Sequence, residues 1–162
     1  MKVVSNTGPI IGLAKINRLS ILKDLAGEIF IPPTVQRELL AKTGDEAILI
    51  DEALNSFIHV RPVPPLDASV KTTIADLDVG EGHAIGLAST FPGDVLLLLD
   101  DRAGRAAAER LNIPTTGLIG LLLLAKEKGI IKSVSELISE LREQGYWLSD
   151  HIVEIAKRLA DE

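Results

Sequence analysis

The chain has 162 residues, of which 46% are hydrophobic but only 3% aromatic, with no cysteine and a formal net charge of −6. That length suits one domain with an aliphatic core, and the missing cysteines exclude disulfides, thiol nucleophiles and cysteine-based zinc or iron–sulfur sites. The acidic balance excludes a protein that coats polyanions through a generally basic surface. No apolar run reaches the roughly 18 residues of a membrane span. The start, one lysine followed by polar Ser5-Asn6-Thr7, is unlike a secretory leader, so a cytosolic protein is expected.

Lys2-Val3-Val4-Ser5 reads as a first strand, with Asn6-Thr7-Gly8-Pro9 as a turn. Ile10, Ile11, Leu13 and Ala14 open a helix that Ile16, Leu19 and Leu22 continue at helical spacing. Glu28 to Ile31 is a second strand, stopped by Pro32-Pro33. Thr34 is the expected N-cap of a helix carrying Val35, Glu38, Leu39 and Leu40. A weaker helical pattern covers Asp45 to Ser56. Phe57 to Val60 is a third strand, closed by Pro62, Pro64 and Pro65, and a short helix is expected over Ser69 to Asp76.

Gly80 to Ser89 is helical. Val95-Leu96-Leu97-Leu98-Leu99 then ends abruptly in Asp100-Asp101-Arg102. Five apolar residues bounded by turn signals read as a strand buried on both faces of a parallel sheet. An Ala-rich helix follows over Arg102 to Leu111, then a short strand at Ile113 to Thr116. Three helices complete the chain, at 118–128, 134–144 and 150–160. Ser133-x-x-Glu136 marks a capping box at the second of these. Strands alternating with helices give an α/β class: one domain over 1–162, a central, mostly parallel sheet flanked by helices, and a helical C-terminal region from about 117.

Ligands of open α/β sheets sit outside the carboxyl ends of the strands. Asn6 follows the first strand, Glu38 lies one helical turn beyond the second, Glu81 opens the helix before the main strand, and Asp100 and Asp101 end that strand. Two carboxylates about 4 Å apart repel by roughly 4 kcal/mol at an effective dielectric near 20. A cluster of them takes up protons or binds a cation. His59, His83 and His151 match no ligand spacing, so the expected metal is a hard ion held by oxygen, Mg²⁺ or Mn²⁺. Such a site suits phosphoryl chemistry.

Each residue also has a purely structural reading. Asp78-Val79-Gly80-Glu81 fits a capping box, Glu38 fits a solvated helix face, Asp101 fits an N-cap, Asn6 fits a turn, and His83 a partly packed surface residue. A phosphoacceptor receiver domain or an aspartyl phosphatase needs acids after the first strand, where this chain has Ser5-Asn6.

Four segments together resemble the PIN-domain family of metal-dependent nucleases: Val3 to Ile11, Ile31 to Leu39, Gly80 to Ala88, and Leu97 to Arg102. The nearest likeness is to prokaryotic VapC-like proteins, and Gly145-Tyr146-Trp147-Leu148-Ser149 is typical of one subgroup. The resemblance covers nearly the whole chain. It implies a parallel sheet between helices and Mg²⁺- or Mn²⁺-dependent endoribonuclease activity. Asn6, Glu38, Glu81 and Asp100, with Asp101 beside it, stand at the metal-binding and catalytic positions. It also implies an RNA substrate, a small antitoxin partner and a homodimer. Asn6 stands where Asp is commonest, and His83 where many relatives carry a second acid. An amide oxygen brings no charge, so weaker metal binding is expected, and a catalytically weak RNA- or protein-binding module is the alternative.

Overall fold

The apolar runs form the strands β1 (Lys2–Ser5), β2 (Ile29–Ile31), β3 (Ile58–Val60), β4 (Val95–Leu98) and β5 (Thr115–Thr116). In the computed structural model, which describes residues 1–162, they make one all-parallel sheet in the order β3-β2-β1-β4-β5. The helices are α1 (Thr7–Lys15), α2 (Ser20–Ala26), α3 (Pro33–Leu40), α4 (Asp45–Leu54), α5 (Ala68–Ile74), α6 (Val79–Thr90), α7 (Arg102–Arg110), α8 (Leu118–Glu127), α9 (Val134–Glu143) and α10 (Asp150–Leu159). None is long and apolar enough to cross a membrane.

Alternation along the strands divides the core between the two faces of the sheet. Val3, Ile29, Ile31 and Leu98 join a cluster of 26 buried residues under α1 to α4 and α8 to α10. Val4, Phe30, Leu97 and Leu99 join a cluster of 11 under α6 and α7. The smaller face depends on small helical residues. A Cβ on Gly104 would lie 2.7 Å from a Leu99 methyl, so α7 approaches β4 closely only because that position is bare. The C-terminal helices pack on the larger face, burying Leu121, Leu122, Leu141 and Ala156, whereas Trp147 is 83% exposed.

Several local expectations need correction. Asn6 to Pro9 is not a free turn: Asn6 is the N-cap and Thr7-Gly8-Pro9 the first turn of α1. Proline is accommodated there because the first helical N–H groups have no intrahelical partner. The helix begun at Ile10 does not continue to Leu22. Asn17 adopts a left-handed φ of 55°, and the chain restarts as α2. Asparagine tolerates that conformation and ends a helix as glycine does. Thr34 is not the N-cap of α3 either. Pro32 holds that position, and the Thr34 hydroxyl instead pairs with His83 Nδ1 of α6.

Candidate active site

The strand order reverses between β1 and β4. The chain moves outward from β1 to β2 and β3, then returns to β4 on the other side and continues to β5. Ligand sites of open sheets lie at such switch points, beyond the strand carboxyl ends. Register places Ser5 beside Leu98, and the Asn6 N–H donates to Leu98 O at 3.0 Å. Asn6 and Asp100 therefore leave the sheet side by side. Glu38 arrives on α3, which follows β2. Glu81 arrives in the first turn of α6, which begins at the carboxyl edge because it must run back to the start of β4. All five expected residues lie at this edge.

The edge splits into two sets. In the first, the Glu81 carboxyl is pushed up to about 6, first by burial and then by the charges of Asp101, Asp78 and Glu38, with a hydrogen bond to Asp101 adding to the shift. The second is built on Asp100. Its Oδ1 accepts the Leu118 N–H at 2.8 Å and lies 3.9 Å from Arg105 Nη2, while its Oδ2 accepts the Tyr146 hydroxyl. The first turn of α1 joins the sets. The Thr7 hydroxyl donates to Glu38 Oε2, and a Cβ on the next residue, Gly8, would lie 3.9 Å from Asp100 Oδ2.

The strand pleat explains the division. Leu98 faces the larger core and Leu99 the smaller one. The same alternation carries Asp100 toward α1 and α8, and Asp101 toward α6. Asp101 also caps α7, accepting the Gly104 N–H at 2.8 Å. Asp78 caps α6 through Gly80, but no bond returns from Glu81 to complete a capping box, because that carboxyl turns to Asp101.

As the side chains stand, no three acidic or histidine groups surround one point closely enough to hold a metal ion. Asp101 is engaged as a helix cap, and Asp100 and Glu38 each accept a hydroxyl. The donor chemistry nevertheless fits a hard divalent ion. Mg²⁺ keeps several waters and needs only one or two carboxylates, so a closed protein cage is not required. Asn6 Oδ1 is buried with no hydrogen-bond partner, and it does not cap α1. A buried acceptor left unpaired is costly unless something else satisfies it. The raised Glu81 pKa comes first from burial and then from the neighbouring acids, whose repulsion a cation would reduce.

Sequence reasoning missed the supporting residues. Gly80 leaves room for Glu38, since a Cβ there would lie 2.5 Å from Glu38 Oε1. Gly117 is bare beneath Asp100 and Arg105, both of which a Cβ would strike. Arg105 is fixed by its Nε bond to Leu99 O at 2.8 Å. The glycines of Gly80-Glu81-Gly82 were visible in the sequence, but their neighbours were not. Two grooves flank Asp100. One, of about 710 Å³, includes Arg102, Arg105, Asn112 and Thr115 in its lining. The other, of about 510 Å³, runs past Tyr146, Trp147, Leu148 and Ile152.

A family model described as "DUF3368: PIN domain" matches residues 2–162. Among curated proteins, the argininosuccinate synthase of Caulobacter sp. (strain K31) is 26% identical over 128 residues, which is 76% of this chain and 30% of that protein. The argininosuccinate synthase of Caulobacter vibrioides (strain NA1000 / CB15N) is 24% identical over the same shares. The chain thus spans under a third of the length of these relatives. No solved structure matches it.

Proposed function

Because the chain belongs to the PIN-domain family, whose members are generally nucleases, we propose that it is an endoribonuclease of the VapC-like kind, dependent on Mg²⁺ or Mn²⁺ and acting as the toxin of a toxin–antitoxin pair. Glu38, Glu81, Asp100 and Asp101 are its acidic residues, and Asn6 its neutral donor. The observation that carries this reading is that Asn6 and Asp100 leave neighbouring strands at the switch point, where the Asn6 amide oxygen is buried without a hydrogen-bond partner.

A bound divalent ion supplies charge neutralisation at the phosphate and lowers the pKa of an attacking water. The chain's residues do the rest. Glu38 and Asp100, which flank the first turn of α1, would hold the ion. Asp101 and Glu81, whose carboxyls interact on the α6 side, orient water there. Arg102 and Arg105 line the groove beside Asp100 and offer positive charge to flanking phosphates, which an acidic protein must concentrate locally. Hydrolysis needs no nucleophilic side chain. Water adds to phosphorus, the bridging P–O bond breaks, and the departing oxygen takes a proton.

Cleavage of a single-stranded RNA with and without Mn²⁺ tests this. Wild type is expected to cut only with metal, and Glu38→Gln and Asp100→Asn to lose at least about tenfold of the rate. Equal cleavage by all three proteins overturns the proposed site.

The second reading is a binding module that does not turn over, favoured by Asn6. Ion affinity grows with ligand charge. Calorimetry separates the two: no Mn²⁺ uptake at millimolar concentration, with RNA still bound, favours the module. Under the first reading Asn6→Asp tightens Mn²⁺ binding. A homodimer and a small antitoxin partner belong to the first reading and stand or fall with it.

A further inference from the structure

The segment between α9 and α10 performs no part of the reaction above, yet one of its side chains reaches the acidic edge. Gly145, at φ 85°, ends α9, with its N–H on Arg142 O and the Tyr146 N–H on Leu141 O. That left-handed turn directs Tyr146 back over the molecule. Its ring packs partly buried against the larger core. It lies over Gly12 of α1, where a Cβ would come within 3.2 Å of Cε2. From there the hydroxyl meets Asp100 Oδ2, 46 residues away in the chain.

We propose that Tyr146 is a positioning residue for Asp100, fixing the carboxylate so that Oδ2 faces the first turn of α1. The opposite oxygen has its own anchors, the Leu118 N–H and, at 3.9 Å, Arg105. Without the hydroxyl, nothing on the Oδ2 side opposes rotation toward the Arg105 guanidinium. With it, Oδ2 stays 3.9 Å from the Gly8 Cβ position, beside the residue whose hydroxyl holds Glu38. A carboxylate oxygen accepts more than one bond, so Oδ2 can keep Tyr146 and still face a cation. Groups that orient a metal ligand typically contribute 10–100-fold to metal affinity.

The functional consequence rests on the metal-dependent reading; the geometry does not. Tyr146→Phe retains the ring and removes only the hydroxyl. Calorimetry should show Mn²⁺ binding weakened at least about tenfold, with the thermal midpoint of the metal-free protein falling by no more than a few degrees. Unchanged or tighter Mn²⁺ binding overturns the proposal. A crystal structure of metal-free Tyr146→Phe supplies a readout that needs no metal. Asp100 is expected to turn toward Arg105, and an unmoved rotamer overturns the proposal even if wild type binds no ion. Failure of wild type to bind Mn²⁺ counts against the nuclease reading alone.

Discussion

On the α6 side of the sheet's carboxyl edge, Glu81 and Asp101 press together within the field of Glu38 and Asp78, and no cation of the chain relieves them. On the α8 side a single carboxylate, Asp100, has a backbone N–H, a phenol and a nearby guanidinium. One side gathers several carboxylates with at most a single neutral donor each, and the other gives one carboxylate two donors and a nearby cation. Adjacent residues therefore serve unlike purposes: Asp100 is held by groups from distant parts of the chain, while Asp101 caps α7 and also repels Glu81, a repulsion that a bound ion would relieve.

The largest expected effect breaks the donor-rich side. Asp100→Ala removes two hydrogen bonds to one carboxylate, from the Leu118 N–H and the Tyr146 hydroxyl, at about 1 kcal/mol each. Asp101→Ala loses one helix cap, about 1 kcal/mol, partly offset by relief of Glu81. Urea unfolding of the metal-free variants should rank Asp100→Ala as the more destabilised. The reverse order would refute the division of roles.

Gly80→Ala sharpens the comparison next. Alanine gains about 0.8–1 kcal/mol of helix propensity over glycine, but its Cβ pushes the Glu38 carboxylate away. Stability should hold while Mn²⁺ affinity falls, read by calorimetry beside denaturant melts.

The smallest effect belongs to Glu81 itself. Its carboxyl titrates near 6 in the folded chain, above the usual 4.5. Between those values the unfolded chain is ionised while the folded one keeps its proton. Stability of the metal-free protein therefore falls as pH rises through this window, and the loss is complete above about pH 6. Solvent screening of this partly exposed group limits the loss to on the order of 1 kcal/mol. Glu81→Gln should abolish that slope. Metal should compete with the same proton, so Mn²⁺ affinity should weaken below about pH 6.

Periodicity and punctuation made most of the elements legible. Leu97 to Leu99 announce a doubly buried strand because only a sheet covered on both faces accepts such a run, and Pro32 and Pro62 mark strand ends because proline cannot continue a ladder. Ser133 accepts the Glu136 N–H as its spacing implies. The spacing says nothing of Glu162, whose carboxylate takes the Val134 and Ser135 N–H groups and ion-pairs with Lys126. The break at Asn17 was likewise hidden, since apolar spacing continued through a residue whose backbone reversed.

Local chemistry determined the acidic residues and their placement near strand ends, because polarity patterns follow the chain itself. It also determined that Asp100 and Asp101 face opposite sides, since a pleat has period two. Which of them meets α6 and which meets Tyr146 was decided only by packing. Facing direction depends on which helices cover each side of the sheet, and a contact across 46 residues leaves no trace in local spacing.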